Sequence, residues 1–314
     1  LKAAAISLAG SHGGPRVVPL LIDIARSQSD LKLRLTAIRR LGEQNTDNVA
    51  DELARLYDSD KTKEIRAQIL RAFSEMHNPR AEAKLIEIAR AGDDVGLRQL
   101  AIRFLGEQQG GASLDELLRI FDADRTPEIR DQILRALSER DDPRAQAKLL
   151  EIARKGETPE LRVQAIRRLV DRRGSASLDD LLQLYSAETN DAIKTGLLRA
   201  FAEMDDPRAR AKILEVARSA AQLELRYAAL RYILERDDPE TVTQLISMYD
   251  SEPTPQVKAA IIRSLGDSNQ KNALHKLMSV AKSDQSVDLR KLAVRQLGES
   301  KDPEVLKFLE ELVR

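Results

Sequence analysis

Residues 126–150 read TPEIRDQILRALSERDDPRAQAKLL. This stretch decides the fold. Thr126-Pro127 and Asp142-Pro143 each place a short polar residue before a proline. A side-chain oxygen can cap the first free N–H groups of a helix, and proline is harmless at the first helical position. After Thr126, Ile129, Ile133, Leu134 and Leu137 fall at helical spacing and form one apolar stripe. After Asp142, Leu149 anchors a second helix. The stretch predicts a helix, a short connection and a second helix.

The same pattern returns along the whole chain. A basic residue recurs every 32 residues without slippage, at Lys2, Arg34, Arg66, Arg98, Arg130, Arg162, Lys194, Arg226, Lys258 and Arg290. An aliphatic residue precedes each from Leu33 to Leu289. Short polar residues stand four positions earlier, among them Asp30, Thr62, Asp94, Thr126, Thr158, Asn190, Thr254 and Ser286. Partner helices have their own anchors, from Leu21 through Leu149 to Leu309. A fixed period of this length is the signature of a repeat array. The count is about ten copies of each helix. The basic residue that sets the period flanks the apolar stripe, so Arg130 and its counterparts are expected to be partly buried and to satisfy nearby carbonyls or carboxylates.

A longer rhythm lies over the first. One first-helix position alternates Ala25, Tyr57, Ala89, Phe121, Ala153, Tyr185, Ala217, Tyr249 and Ala281. A second-helix position alternates Ala37, Ile69, Ala101, Ile133, Ala165, Leu197, Ala229, Ile261 and Ala293. Compensating large and small side chains is what a close-packed interior requires. The module is therefore two unlike helix pairs.

The Asp142-Pro143-Arg144-Ala145 start and the Thr126-Pro127-Glu128-Ile129-Arg130 start resemble those of HEAT-repeat proteins of the short bacterial kind, and the resemblance runs through the chain. It implies an all-α fold: a right-handed α-α superhelix of about ten two-helix repeats, residues 1–314 forming one solenoid that begins and ends within a repeat. At helix spacings of ~8–10 Å the array would be roughly 100 Å long. The resemblance also implies that the second helix of each pair lines the concave side. The start at Leu1, with neither an initiator Met nor a signal-like segment, is read as a piece of a longer protein.

The solvent face of the second helix carries a ladder. Five residues after each basic position stand Arg39, Arg71, Arg103, Arg135, Arg167, Arg199, Arg231, Arg263 and Arg295. Four residues further stand Glu43, Glu75, Glu107, Glu139, Asp171, Glu203, Glu235, Asp267 and Glu299. Residues four apart share a helix face and can pair. One reading is structural, with each Arg pairing locally and bridging to the next repeat. The other is a docking rail, in which guanidinium groups offer forked donors to carboxylates of a partner. Phe104, Tyr227 and Tyr232 stand near the ladder and are expected to be exposed anchors on the same wall.

Composition removes other chemistries. The 314 residues hold 51 basic and 51 acidic side chains and no Cys, so disulfides, thiolate metal sites and Cys nucleophiles are excluded. Zero net charge argues against a nucleic-acid binder. Apolar runs are too short to span a bilayer. None of His12, His77 and His275 is followed by Glu, so the paired His-Glu motifs of HEAT-type metal hydroxylases are missing. No cofactor or metal is expected. Gly13-Gly14 and Gly110-Gly111 are read as inter-helix loops without a phosphate-loop pattern. HEAT-like DNA glycosylases would need a continuous basic groove, and no motif specifies the chromophore of a bilin lyase. The expected function is a protein-interaction scaffold that docks a protein or peptide segment along the concave wall. The alternative is an architectural spacer within a larger protein. Leu306, Leu309 and Leu312 leave an apolar stripe on the last helix, which predicts end-to-end association or fraying. Composition assigns no compartment.

Overall fold

The computed structural model describes residues 17–108, 111–171, 177–233 and 238–313. Among these, nineteen α-helices follow one another and no strand occurs. They are α1 (Val17–Ser27), α2 (Leu31–Gly42), α3 (Asp47–Ser59), α4 (Lys63–Glu75), α5 (Pro79–Ala91), α6 (Val95–Glu107), α7 (Gly111–Ala123), α8 (Pro127–Ser138), α9 (Pro143–Lys155) and α10 (Pro159–Asp171). There follow α11 (Leu178–Ala187), α12 (Asp191–Glu203), α13 (Pro207–Ser219), α14 (Leu223–Tyr232), α15 (Pro239–Ser251), α16 (Pro255–Gly266), α17 (Lys271–Ser283), α18 (Val287–Leu297) and α19 (Pro303–Val313). Odd-numbered helices are the first members of each pair and even-numbered helices the second. The expected helix around Lys2 lies outside the described residues.

Most helix starts follow the capping logic. The side chains of Asp30, Asn78, Asp94, Asn190, Asp206 and Ser286 accept from backbone N–H groups of the first turn. Thr62, Thr126 and Thr254 depart from the expectation and make no such bond. There the turn is closed two residues earlier. Asp60 accepts from the Thr62 N–H at 2.8 Å, Asp124 from Thr126 at 2.7 Å and Glu252 from Thr254 at 2.9 Å. Glu188 and Asp284 make the same contact with the N–H groups of Asn190 and Ser286, whose side chains also cap their helices, so this charged acceptor is a feature of the turn and not a substitute for the cap. Gly111 also differs from the reading, since it opens α7 instead of lying in a loop.

The chain forms two compact units, residues 1–151 and 152–314. In each, the anchors of both helices form the interior: Leu53, Leu85, Ile129 and Ile133 in the first, and Leu181, Leu197, Leu245 and Ile261 in the second, are inaccessible to solvent. Within each unit the second helices pack more closely on one another than the first helices do. Each unit therefore bends toward its second helices, whose solvent face is its inner face. Small residues permit this approach in the first unit. A Cβ placed on Gly106 would lie 2.7 Å from the Ala136 Cβ, and one on Gly42 would lie 2.9 Å from the Ala72 Cβ. Only a glycine facing an alanine allows these helices to touch.

The basic residues that set the period clasp neighbouring helices together. Arg34, Arg98, Arg162 and Arg226 donate Nε–H to the carbonyls of Ala25 (2.7 Å), Ala89 (3.1 Å), Ala153 (2.8 Å) and Ala217 (2.8 Å). The same guanidinium groups pair with Asp60, Asp124, Glu188 and Glu252 of the following repeat. The alternate repeats add the aromatic position. Arg66 and Arg130 lie over the rings of Tyr57 and Phe121 at 4.9 and 5.0 Å, and Lys194 and Lys258 lie over Tyr185 and Tyr249 at 5.5 and 4.8 Å. Cations of the next first helix, Lys148, Lys212 and Lys276, cover Phe121, Tyr185 and Tyr249 from elsewhere. Arg66 also makes the clasp, donating Nε–H to the Tyr57 carbonyl at 3.1 Å and pairing with Asp93 at 3.1 Å, so the two-repeat rhythm adds a cation–aromatic stack in every second repeat.

Candidate functional site

The inner face of each unit presents the arginine ladder. Arg39, Arg71, Arg103 and Arg135 in the first unit, and Arg167, Arg199, Arg231, Arg263 and Arg295 in the second, are all exposed. Where they pair, they pair within their own helix. Arg103 reaches Glu107 at 3.7 Å, Arg135 reaches Glu139 at 3.1 Å and Arg199 reaches Glu203 at 3.2 Å. Among the described residues, Arg39, Arg71, Arg263 and Arg295 form no ion pair; Glu43, beside Arg39, pairs with Arg40 at 2.8 Å instead. Glu235 and the Asp171 side chain, expected partners of Arg231 and Arg167, lie outside the described residues.

Bridges from repeat to repeat stand elsewhere. On the first helices, Arg144 meets Asp115 at 2.9 Å, Arg208 meets Asp179 at 2.8 Å and Lys84 meets Asp58 at 3.0 Å. Arg26–Glu52 and Arg90–Glu116 are further such pairs. The expected cross-repeat bridging by ladder arginines is not among the ion pairs of the described residues. The reason is geometric. The ladder side chains project from the inner face, while the acids that meet the next repeat sit at the ends or on the outer sides of the helices.

Burial also separates the clasps electrostatically. Burial opposes ionisation of Asp60, Asp124, Glu188 and Glu252, but hydrogen bonds from the paired arginine and the following turn outweigh it, so all four carboxyls are held below their ordinary range.

The three aromatic candidates differ in fate. Phe104 is only 5% exposed, so its expected place as an exposed anchor is corrected. It stands in the layer where Ala72 and Ala136 pack against the neighbouring helix, and the Arg103 guanidinium lies 5.0 Å from its ring. Tyr232 is half-exposed; its hydroxyl accepts from Arg231 at 2.7 Å and the guanidinium lies 4.7 Å from its ring. Tyr227 is half-buried and forms a wall of a cleft of about 620 Å³ between α14 and α16. Arg231 and Arg263 border this cleft and Ala259 and Ala260 floor it. Sequence periodicity marked the arginines and Tyr227, but not the cleft, which depends on what is small at two neighbouring positions.

Among the described residues, no group of three or more His, Cys, Asp or Glu side chains could hold a metal ion. No helix among them is long and apolar enough to cross a membrane. Leu306 and Leu312 of α19 are exposed, as the apolar stripe of that helix predicts.

No curated protein matches the sequence. Among solved structures, a chain of the Kap95p–RanGDP nuclear import structure is 12% identical, with a TM-score of 0.52, over 94% of this chain and 46% of that one. This chain thus spans less than half the length of that relative. Human deoxyhypusine hydroxylase is 14% identical with a TM-score of 0.36, over 85% of this chain and 98% of that one. A chain of the AP-3 complex is 14% identical with a TM-score of 0.35, over 99% and 56%. The family model for HEAT repeats matches residues 1–74, 82–170, 178–266 and 242–314. With its helix pairs, 32-residue period and clasped repeats, the chain belongs to the HEAT-repeat family.

Proposed function

We propose that this chain is a protein-interaction scaffold that docks a protein or peptide segment along the inner face of its second helices, through the arginine ladder. One observation carries the reading: among the described residues the polar links between repeats are the buried clasps and first-helix bridges, while the ladder arginines are exposed and their ion pairs stay within their own helix. Such exposed pairs contribute about 0.3–0.5 kcal/mol each. The ladder arginines are therefore donors that the fold does not depend on: Arg39, Arg71, Arg263 and Arg295 form no ion pair among the described residues, and the pairs of Arg103, Arg135 and Arg199 are weak and exposed. The Kap95p structure, whose fold is similar, concerns binding of a protein, RanGDP; that precedent favours a protein partner here too.

On this reading the chain binds and does not catalyse. Balanced charge and an acid near each ladder arginine favour a two-signed protein surface over a nucleic-acid backbone. The test is affinity capture with the full chain and with a variant carrying Arg71→Glu, Arg135→Glu, Arg199→Glu and Arg263→Glu. A stoichiometric protein partner lost by the variant supports docking on this face. A partner retained at full yield contradicts it, and no partner at all favours the spacer.

A further inference from the structure

The repeats of this chain serve as controls for one another, and at the α14–α16 cleft one departure from the repeat pattern, Tyr227, coincides with a small residue and a neutral one at registers that are bulky or acidic in about half of the repeats. Two residues after the period-setting basic position, Gln68, Leu100, Gln132, Gln164 and Leu292 are large, whereas α14 and α16, the two helices of the cleft, both carry alanine, Ala228 and Ala260, and α12 carries Gly196. Beside Ala260 stands Ala259, so the floor is hollow and apolar. Two residues before the basic position, Glu64, Glu128, Glu160, Glu224 and Asp288 are acidic, whereas Lys32, Gly96, Ala192 and Gln256 are not, and Gln256 stands at the cleft edge. One residue after the basic position, α14 has Tyr227 where no other repeat has an aromatic.

The result is a change in local chemistry. Arg231 and Arg263, from adjacent repeats, border one hollow. Arg263 makes no ion pair among the described residues although Asp267 is four positions on. Ser264 spends its hydroxyl on the Leu230 carbonyl at 2.6 Å and so adds no free donor. The neutral edge, the apolar floor and the aromatic wall all favour the same occupant. Guanidinium groups supply charge-assisted hydrogen bonds to a carboxylate. A tyrosine wall supplies rigid contact area to an apolar side chain.

We infer that the α14–α16 cleft is the specificity pocket of the inner face, taking an Asp or Glu side chain of a partner segment between Arg231 and Arg263 and an adjoining Leu, Ile or Phe on Ala259 and Ala260 against Tyr227. This rests on the docking reading. Asp267, at the border of the cleft, sets direction by repelling the partner's carboxylate toward the arginines.

The test is selection of displayed random dodecapeptides on the full chain, followed by anisotropy titration of the enriched synthetic peptides. The expected consensus is an acidic residue beside a large apolar one. Ala260→Gln with Gln256→Glu restores residues that sister repeats already carry, so the fold is retained, which a matched melt verifies. This variant should weaken binding about ten-fold or more, and Arg263→Glu should weaken it further, as loss of a central anchor does. A consensus without acids, failure to enrich any peptide, or equal affinity for the Ala260→Gln/Gln256→Glu variant overturns the pocket. If the peptides bind that variant fully but are lost with Arg71→Glu/Arg135→Glu, the pocket is overturned and the docking reading stands. Indifference to both variants overturns both.

Discussion

Arg226 and Glu252, 26 residues apart, form a buried ion pair that joins one helix pair to the next, while the Arg226 Nε–H reaches back to the Ala217 carbonyl at 2.8 Å. One side chain therefore holds three helices: its own, the one before and the one after. Arg226→Ala leaves Glu252 buried without its counter-charge. Breaking one side of such a pair costs about 3–5 kcal/mol. Urea denaturation should show that loss. Arg226→Lys should recover little of it, because a single ammonium cannot replace the fork that serves a carbonyl and a carboxylate together.

The clasps predict acid lability. Asp60, Asp124, Glu188 and Glu252 have folded-state pKa values below their ordinary range. A depressed carboxylate pKa contributes stability that is complete above the unfolded value, about 4, and is lost as pH falls through the folded value. Stability should be level from neutral pH to about pH 5 and fall steeply below pH 4. Arg34→Ala/Arg98→Ala/Arg162→Ala/Arg226→Ala should be less stable at neutral pH and show a flatter acid limb. An equally steep limb in that variant counts against the clasps as its source.

Close helix approach in the first unit predicts a reciprocal pair of substitutions. Gly106→Ala puts a methyl group 2.7 Å from the Ala136 Cβ. Overpacking of this kind costs about 1–3 kcal/mol. Adding Ala136→Gly should recover part of the loss, beyond what the two single effects sum to. A double-mutant cycle in thermal denaturation reads that coupling. Strict additivity would mean that the helices separate freely.

Much of this was legible in the sequence because a fixed period repeats each experiment ten times. Helix pairs, anchors, the alternation of Ala25 with Tyr57 and the exposed ladder all follow from comparing equal positions. The clasps were only half legible. Arg130 could be read as a partly buried structural residue, but the carboxylates paired with its counterparts lie 26 residues away, not 32, because the chain closes the contact between unlike positions of neighbouring repeats. Phe104 illustrates the opposite error. It stands beside Arg103 in sequence, yet one step around a helix turns it from the solvent face into the helix–helix layer, where it is buried. The α14–α16 cleft needed the structure, since Ala259 and Ala260 are ordinary residues until Tyr227 is placed across from them.

The division of labour between clasps and ladder is tested most directly by urea unfolding of two matched variants. One carries Arg39→Ala, Arg71→Ala, Arg263→Ala and Arg295→Ala; the other carries Arg34→Ala, Arg98→Ala, Arg162→Ala and Arg226→Ala. The ladder variant should unfold within about 1 kcal/mol of the parent, as exposed side chains away from special features do, and the clasp variant should lose several kcal/mol. A ladder variant that unfolds as early as the clasp variant would contradict the account, because the arginines of the inner face would then be holding the fold and not waiting for a partner.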